Sequence, residues 1–164
     1  MSKLKNALKK ALDFEKKGHR IYMNCAKKTK NPLVKDVFEY LAAQEKLHIK
    51  DIERFIEKEE IITEGDLLNN TKAFFGMTVR RFEEKIYISK DDIAAYETAL
   101  ELEKESYNYY KVEYENIEDE DAMKFFRFMM DQESAHYLLI EKAYSYLKDP
   151  FGFNVEQEEW IMEG

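Results

Sequence analysis

Two short patterns in this sequence pair a carboxylate with an imidazole at helical spacing: Glu45-Lys46-Leu47-His48 and Glu133-Ser134-Ala135-His136. Residues three apart on a helix share a face, so each pattern can aim both side chains at one ion. Each is preceded, thirty positions upstream, by a further glutamate, Glu15 and Glu103. Four carboxylates and two imidazoles, without thiolate, are the donor set of a dinuclear metal centre and favour iron or manganese over a structural zinc. Two divalent ions would balance the four carboxylate charges. Without metal, the same four carboxylates in a core would have to bind protons or admit water.

A single Glu-x-x-His in a Glu-rich helical chain would be an accident of a solvated face as readily as a site. Here the pattern is repeated. One offset of 88 positions carries Glu15 to Glu103, Glu45 to Glu133 and His48 to His136, and also Leu12 to Leu100, Tyr22 to Tyr110, Phe38 to Phe126 and Gln44 to Gln132. Of the three histidines in the chain, two occupy equivalent places in this repeat. The chain therefore reads as a duplicated helical hairpin. His19 has no counterpart, because Tyr107 stands at the equivalent position, and it reads as a surface or supporting residue. Tyr22 and Tyr110 follow Glu15 and Glu103 by seven residues, two turns along the same face. They are either aromatic core or phenols bonded to a ligand carboxylate. Cys25 reads as a small buried hydrophobe.

The elements that would position these residues follow from periodicity and caps. A first helix is expected from Ser2 to about Lys28, and a second from Pro32 to near Glu59, with Pro32 in the first turn where its missing N–H is not needed. Ser89 with Asp91 and Asp92 caps a third long helix to about Asn116, and a fourth runs from about Glu120 to Lys148, stopped by Asp149-Pro150. Short links inside each pair force antiparallel neighbours, whereas about thirty residues separate the pairs, enough to travel the length of a bundle. The expected architecture is all-α: hairpin 1 at about 2–59, a crossover at about 60–88, hairpin 2 at about 89–148 and a tail at 149–164 holding a short C-terminal helix from Asn154. Leu67, Leu68, Phe74, Phe75, Met77, Val79, Phe82, Ile86 and Tyr87 predict a short helix and an apolar strap within the crossover.

Composition agrees. The 164 residues make one domain's worth of chain, with 37% charged residues, 14% aromatic residues, 5 glycines and 2 prolines. The formal net charge is -8, acids and bases are interspersed, and no basic surface is available for a nucleic-acid backbone. The N-terminal residues alternate apolar with basic, unlike a signal peptide, and no stretch reaches membrane-spanning length, so a cytoplasmic protein is expected. A single cysteine excludes an intrachain disulfide and a cysteine-ligated iron centre.

The segments Ala11-Leu-Asp-Phe-Glu-Lys-Lys-Gly with Tyr22, Leu41-Ala-Ala-Gln-Glu-Lys-Leu-His, Ala99-Leu-Glu-Leu-Glu-Lys-Glu-Ser with Tyr110, and Met130-Asp-Gln-Glu-Ser-Ala-His resemble the rubrerythrin branch of the ferritin-like superfamily. The resemblance covers both hairpins and implies a ferritin-like four-helix bundle with a di-iron centre. In it Glu45 and Glu133 bridge the ions, Glu15 and Glu103 are terminal ligands, and His48 and His136 cap one ion each. The catalytic residues are then expected to be Glu45, Glu133, Tyr22 and Tyr110. The family reduces hydrogen peroxide, and some relatives oxidise ferrous iron with dioxygen.

Two departures bear on the transfer. The chain lacks the four-cysteine rubredoxin domain of rubrerythrins proper, so an external electron donor such as a rubredoxin-like protein is expected. The family also places a further glutamate one turn after the third-helix ligand, used when an iron shifts between redox states. Ser106 stands there, which counts against that shift and against efficient peroxide turnover. The expected function is rubrerythrin-like peroxide reduction or dioxygen-driven iron oxidation, in a homodimer because family members pair. The alternatives are a non-enzymatic iron-binding or storage protein and a di-manganese catalase-like enzyme.

Overall fold

The computed structural model describes residues 3–58, 71–77 and 88–149, and these form five helices with no strand among them. They are α1 (Lys3–Lys28), α2 (Pro32–Lys58), α3 (71–77), α4 (Lys90–Asn116) and α5 (Glu120–Lys148). Each boundary has a local cause. The Asn31 side-chain oxygen accepts the N–H groups of Leu33 and Val34 at 3.0 and 3.2 Å, starting α2 at the proline that follows it. Ser89 and Asp92 form a reciprocal capping box at the start of α4, and Asp119 accepts the Ala122 N–H at 2.8 Å at the start of α5. Acidic residues in both first turns, Asp91 and Asp92 in α4 and Glu120 and Asp121 in α5, complement the positive helix ends.

The helices assemble as two antiparallel hairpins, α1–α2 and α4–α5, with α1 beside α4 and α2 beside α5. Side-chain bonds fix the relative directions. At one end the Thr29 hydroxyl donates to Asp92 Oδ1 at 2.6 Å, and at the other the Tyr109 hydroxyl donates to the Ala7 carbonyl at 2.6 Å, so α1 and α4 run antiparallel. The end of α2 meets the beginning of α5, where Phe55 stacks on Phe125 at 4.6 Å. The second hairpin therefore begins at the opposite end of the bundle from where the first one finishes. The short helix expected in the crossover is α3: Phe74 stacks on Tyr40 at 4.0 Å, and Phe75 is fully buried beside Tyr146, whereas Met77 is exposed. Leu67, Leu68, Val79, Phe82, Ile86 and Tyr87, and the tail with its expected helix from Asn154, lie outside the described residues.

Two apolar clusters fill the bundle. One packs Tyr22, Phe38, Leu41, Phe75, Tyr96 and Leu139 towards the start of α4, and the other packs Leu8, Ile52, Phe55, Phe125, Phe126 and Met129 towards the start of α1. On all four long helices a buried polar layer separates them. It holds Glu15, Glu45, His48, Glu103, Gln132, Glu133 and His136. Cys25 is half-buried and packs against the first cluster. Among the described residues no helix is long and apolar enough to cross a membrane.

Candidate metal centre

The polar layer exists because each long helix interrupts its apolar stripe once with a glutamate, Glu15, Glu45, Glu103 or Glu133, and α2 and α5 add a histidine one turn later. All six of these residues are at most 3% exposed. The structure brings the whole sequence-derived set together. His48 Nδ1 lies 3.3 Å from Glu15 Oε2, 3.4 Å from Glu133 Oε1 and 3.9 Å from Glu45 Oε2. His136 Nδ1 lies 3.6 Å from both Glu45 Oε1 and Glu103 Oε1. The two imidazoles stack at 5.0 Å between centroids. Glu45 thus turns one oxygen towards each histidine. Ligand atoms of Glu45, His48, Glu133 and His136 all lie within 4.8 Å of one another.

Packing does not explain this layer. Glu103 Oε2, Glu133 Oε1 and both ring nitrogens of His136 are buried without a hydrogen-bond partner, despite the nearby ion-pair contacts. A polar atom left in that state costs about 1–3 kcal/mol, and three of these four face one another across the layer. Divalent cations held by these oxygen and nitrogen atoms would satisfy all of them except His136 Nε2, which faces away from the carboxylates. The donors fit such ions.

Protons hold the layer together when no metal does. Burial, followed by the charges of Glu103 and Glu15, holds the Glu133 carboxyl well above the ordinary carboxylate range. Burial pushes Glu103 in the same direction, but hydrogen bonding from Glu133 and the imidazole of His136 outweigh it, and Glu103 lies below its usual value. Glu133 is the proton carrier of the pair.

The tyrosines are bonded crosswise. Tyr22 of the first hairpin donates to Glu103 Oε1 of the second at 2.6 Å, and Tyr110 of the second donates to Glu15 Oε1 of the first at 2.8 Å. Burial, then the adjacent carboxylate charge, pushes both phenols well above their normal range, so each keeps its proton and remains a donor. His19 stays out of the cluster: its Nδ1 donates to the Ala42 carbonyl at 2.9 Å, tying α1 to α2.

Two residues of the layer carried no role in the sequence reading. The Gln132 side-chain oxygen accepts from His48 Nε2 at 2.8 Å. Its participation in the repeat was the only available signal. Gly18, one turn after Glu15, is buried against Glu45, whose Oε2 lies 3.4 Å from where a β-carbon would sit. A family model described as rubrerythrin matches residues 6–144 of the chain. No curated protein and no solved structure gives a significant match.

Proposed function

Because the chain belongs to the rubrerythrin family, a ferritin-like all-α bundle, we propose that it is a non-haem di-iron oxidoreductase that reduces hydrogen peroxide with electrons from an external donor. One observation carries this reading: the buried, unpartnered carboxylate and imidazole atoms that converge between the two apolar clusters. In the proposed assignment Glu45 and Glu133 would be shared between two ions, Glu15 and His48 would help hold one, and Glu103 and His136 the other. Two ferrous ions bound there would supply the two electrons that, with two protons, convert peroxide to two waters.

The chain's own residues perform the remaining tasks. Tyr22 and Tyr110 hold the terminal carboxylates in place through Glu103 Oε1 and Glu15 Oε1, so that the second oxygen of each faces the layer, Glu103 Oε2 without a partner and Glu15 Oε2 against His48. Glu133 would give up its proton to entering ions, so loading would be coupled to proton release from a closed core. The apolar clusters above and below exclude bulk water from the layer. A one-electron carrier of the rubredoxin type is the proposed partner.

The test is an anaerobic refill with ferrous iron, followed by stoichiometric peroxide or air under rapid-mixing absorbance. The expected result is two irons per chain, oxidised far faster by peroxide than by air, with Glu133→Ala and His136→Ala losing both the oxidised absorption and peroxide turnover. Turnover that survives without bound iron would sink the proposal. Oxidation by air at least as fast as by peroxide would assign the centre to iron oxidation instead, and oxygen release from peroxide by a manganese-loaded protein would make it catalase-like.

A further inference from the structure

The duplication predicts two equivalent metal positions, and the structure departs from that equivalence in the hydrogen bonds of the two histidines. His48 Nε2 donates to Gln132 Oε1 at 2.8 Å across the bundle, from α2 to α5, with His48 1% and Gln132 9% exposed. The repeat offers His136 the matching residue, Gln44, on α2. Gln44 is only half-buried, and His136 Nε2 has no partner although it is fully buried. An amide oxygen can only accept, so Gln132 keeps a His48 proton on Nε2 and turns Nδ1 to the carboxylates, 3.3 Å from Glu15 Oε2, where an entering ion would take the place of that contact. His136 has no such partner to hold its ring from the Nε2 side.

We propose that Gln132 is a positioning residue that pre-orients His48 for ligation through Nδ1, making the His48–Glu15 position the tighter of two unequal metal positions and the first to fill. The inference rests on the dinuclear reading above and adds an order of loading to it. An imidazole whose far N–H is bonded is a more basic ligand and is already fixed before the ion arrives, and loss of such a partner typically costs about 10- to 100-fold in metal affinity. The His136 ring, stacked and buried but without a bond at Nε2, leaves more of its final orientation to the ion. Binding there bears that ordering cost, which the first position avoids.

The experiment uses the metal-stripped full chain titrated with Co(II), read by its visible absorption and by proton NMR of the exchangeable imidazole N–H signals shifted by the paramagnetic ion. Two cobalts per chain are expected to bind in separable steps. Both shifted N–H groups are buried, and that of His48, bonded to Gln132, should exchange with solvent more slowly than the other. Gln132→Met, close in volume but without an acceptor, should weaken the tighter step about 10- to 100-fold and abolish the slowly exchanging signal. Gln132→Glu, which restores an acceptor, should keep that signal, and Gln44→Met should change neither. Two cobalts with identically exchanging N–H protons, or a tight step untouched by Gln132→Met, would overturn the inference and leave the dinuclear reading standing. A wild-type chain that takes up no cobalt would overturn both.

Discussion

Gly18→Ala should stabilise the empty protein and weaken its hold on metal. Gly18 is buried inside α1, where glycine costs about 0.5–1 kcal/mol relative to alanine because its backbone loses more freedom on folding. The added β-carbon would meet Glu45 Oε2 at 3.4 Å, Cδ at 3.5 Å and Cγ at 3.7 Å, ordinary contact distances that demand no backbone movement. The propensity gain should therefore survive. For a chain of this size it corresponds to a rise in Tm of roughly 1–4 °C in the metal-stripped protein. The same methyl group would lie against the Glu45 carboxylate, so any turn of that side chain to serve two ions would press on it. Holding that side chain about 30° from its preferred rotamer costs roughly 0.5–1.5 kcal/mol, a loss of about two- to tenfold in affinity for the metal that needs it. Thermal denaturation followed by circular dichroism, beside a Mn(II) titration by calorimetry, measures both quantities on the same preparations. A lowered Tm in the stripped variant would refute the packing argument. A raised Tm with unchanged metal affinity would show that Glu45 need not move to bind.

Tyr110→Phe and Tyr22→Phe each remove the phenol that donates to a buried carboxylate, so each should destabilise the metal-free fold by about 1–3 kcal/mol in urea unfolding. An unchanged midpoint would mean that Glu15 and Glu103 find other donors. The pH dependence follows from Glu133, whose carboxyl is raised in the folded chain. Its contribution to the metal-free fold is fully present below the ordinary carboxylate value and is lost as pH rises through the folded value. Metal-free stability should therefore fall on the alkaline side, while metal affinity climbs by up to about tenfold per pH unit as binding displaces that proton. Calorimetry in buffers of different ionisation enthalpy should register the released proton, and a binding heat independent of buffer would contradict the assignment.

The four long helices were legible because caps and apolar periodicity are local. Asn31-Pro32, Ser89 and Asp119-Glu120 each mark a boundary within a residue or two of the chain itself. Convergence of the six Glu and His side chains was legible for a related reason: an offset preserved between two hairpins keeps their faces in register when they dock. The partners of Tyr22, Tyr110 and Gln132 were not. Spacing places a phenol on the face of its own helix, but which carboxylate it reaches depends on the axial stagger of α1 against α4. That stagger is set by interlocking side chains such as Tyr109 against Phe14, not by any period along one helix. Gly18 was hidden likewise, since only the approach of Glu45 from another helix gives its missing side chain a purpose.

The crosswise tyrosine bonds have a thermodynamic consequence. Each hairpin supplies the donor that steadies the other's carboxylate, and neither hairpin alone contains a complete binding position. An ion lodged in the layer therefore rivets the two halves together. It recognises only the docked arrangement, and at a free concentration a thousandfold above its Kd it would deepen the native well by about 4 kcal/mol, a sizeable share of an ordinary domain's whole stability. The lifetime of the fold then becomes a gauge of metal supply. In scarcity the two halves would part more often, and the protein would be exposed to unfolding and proteolysis before any question of its chemistry arose.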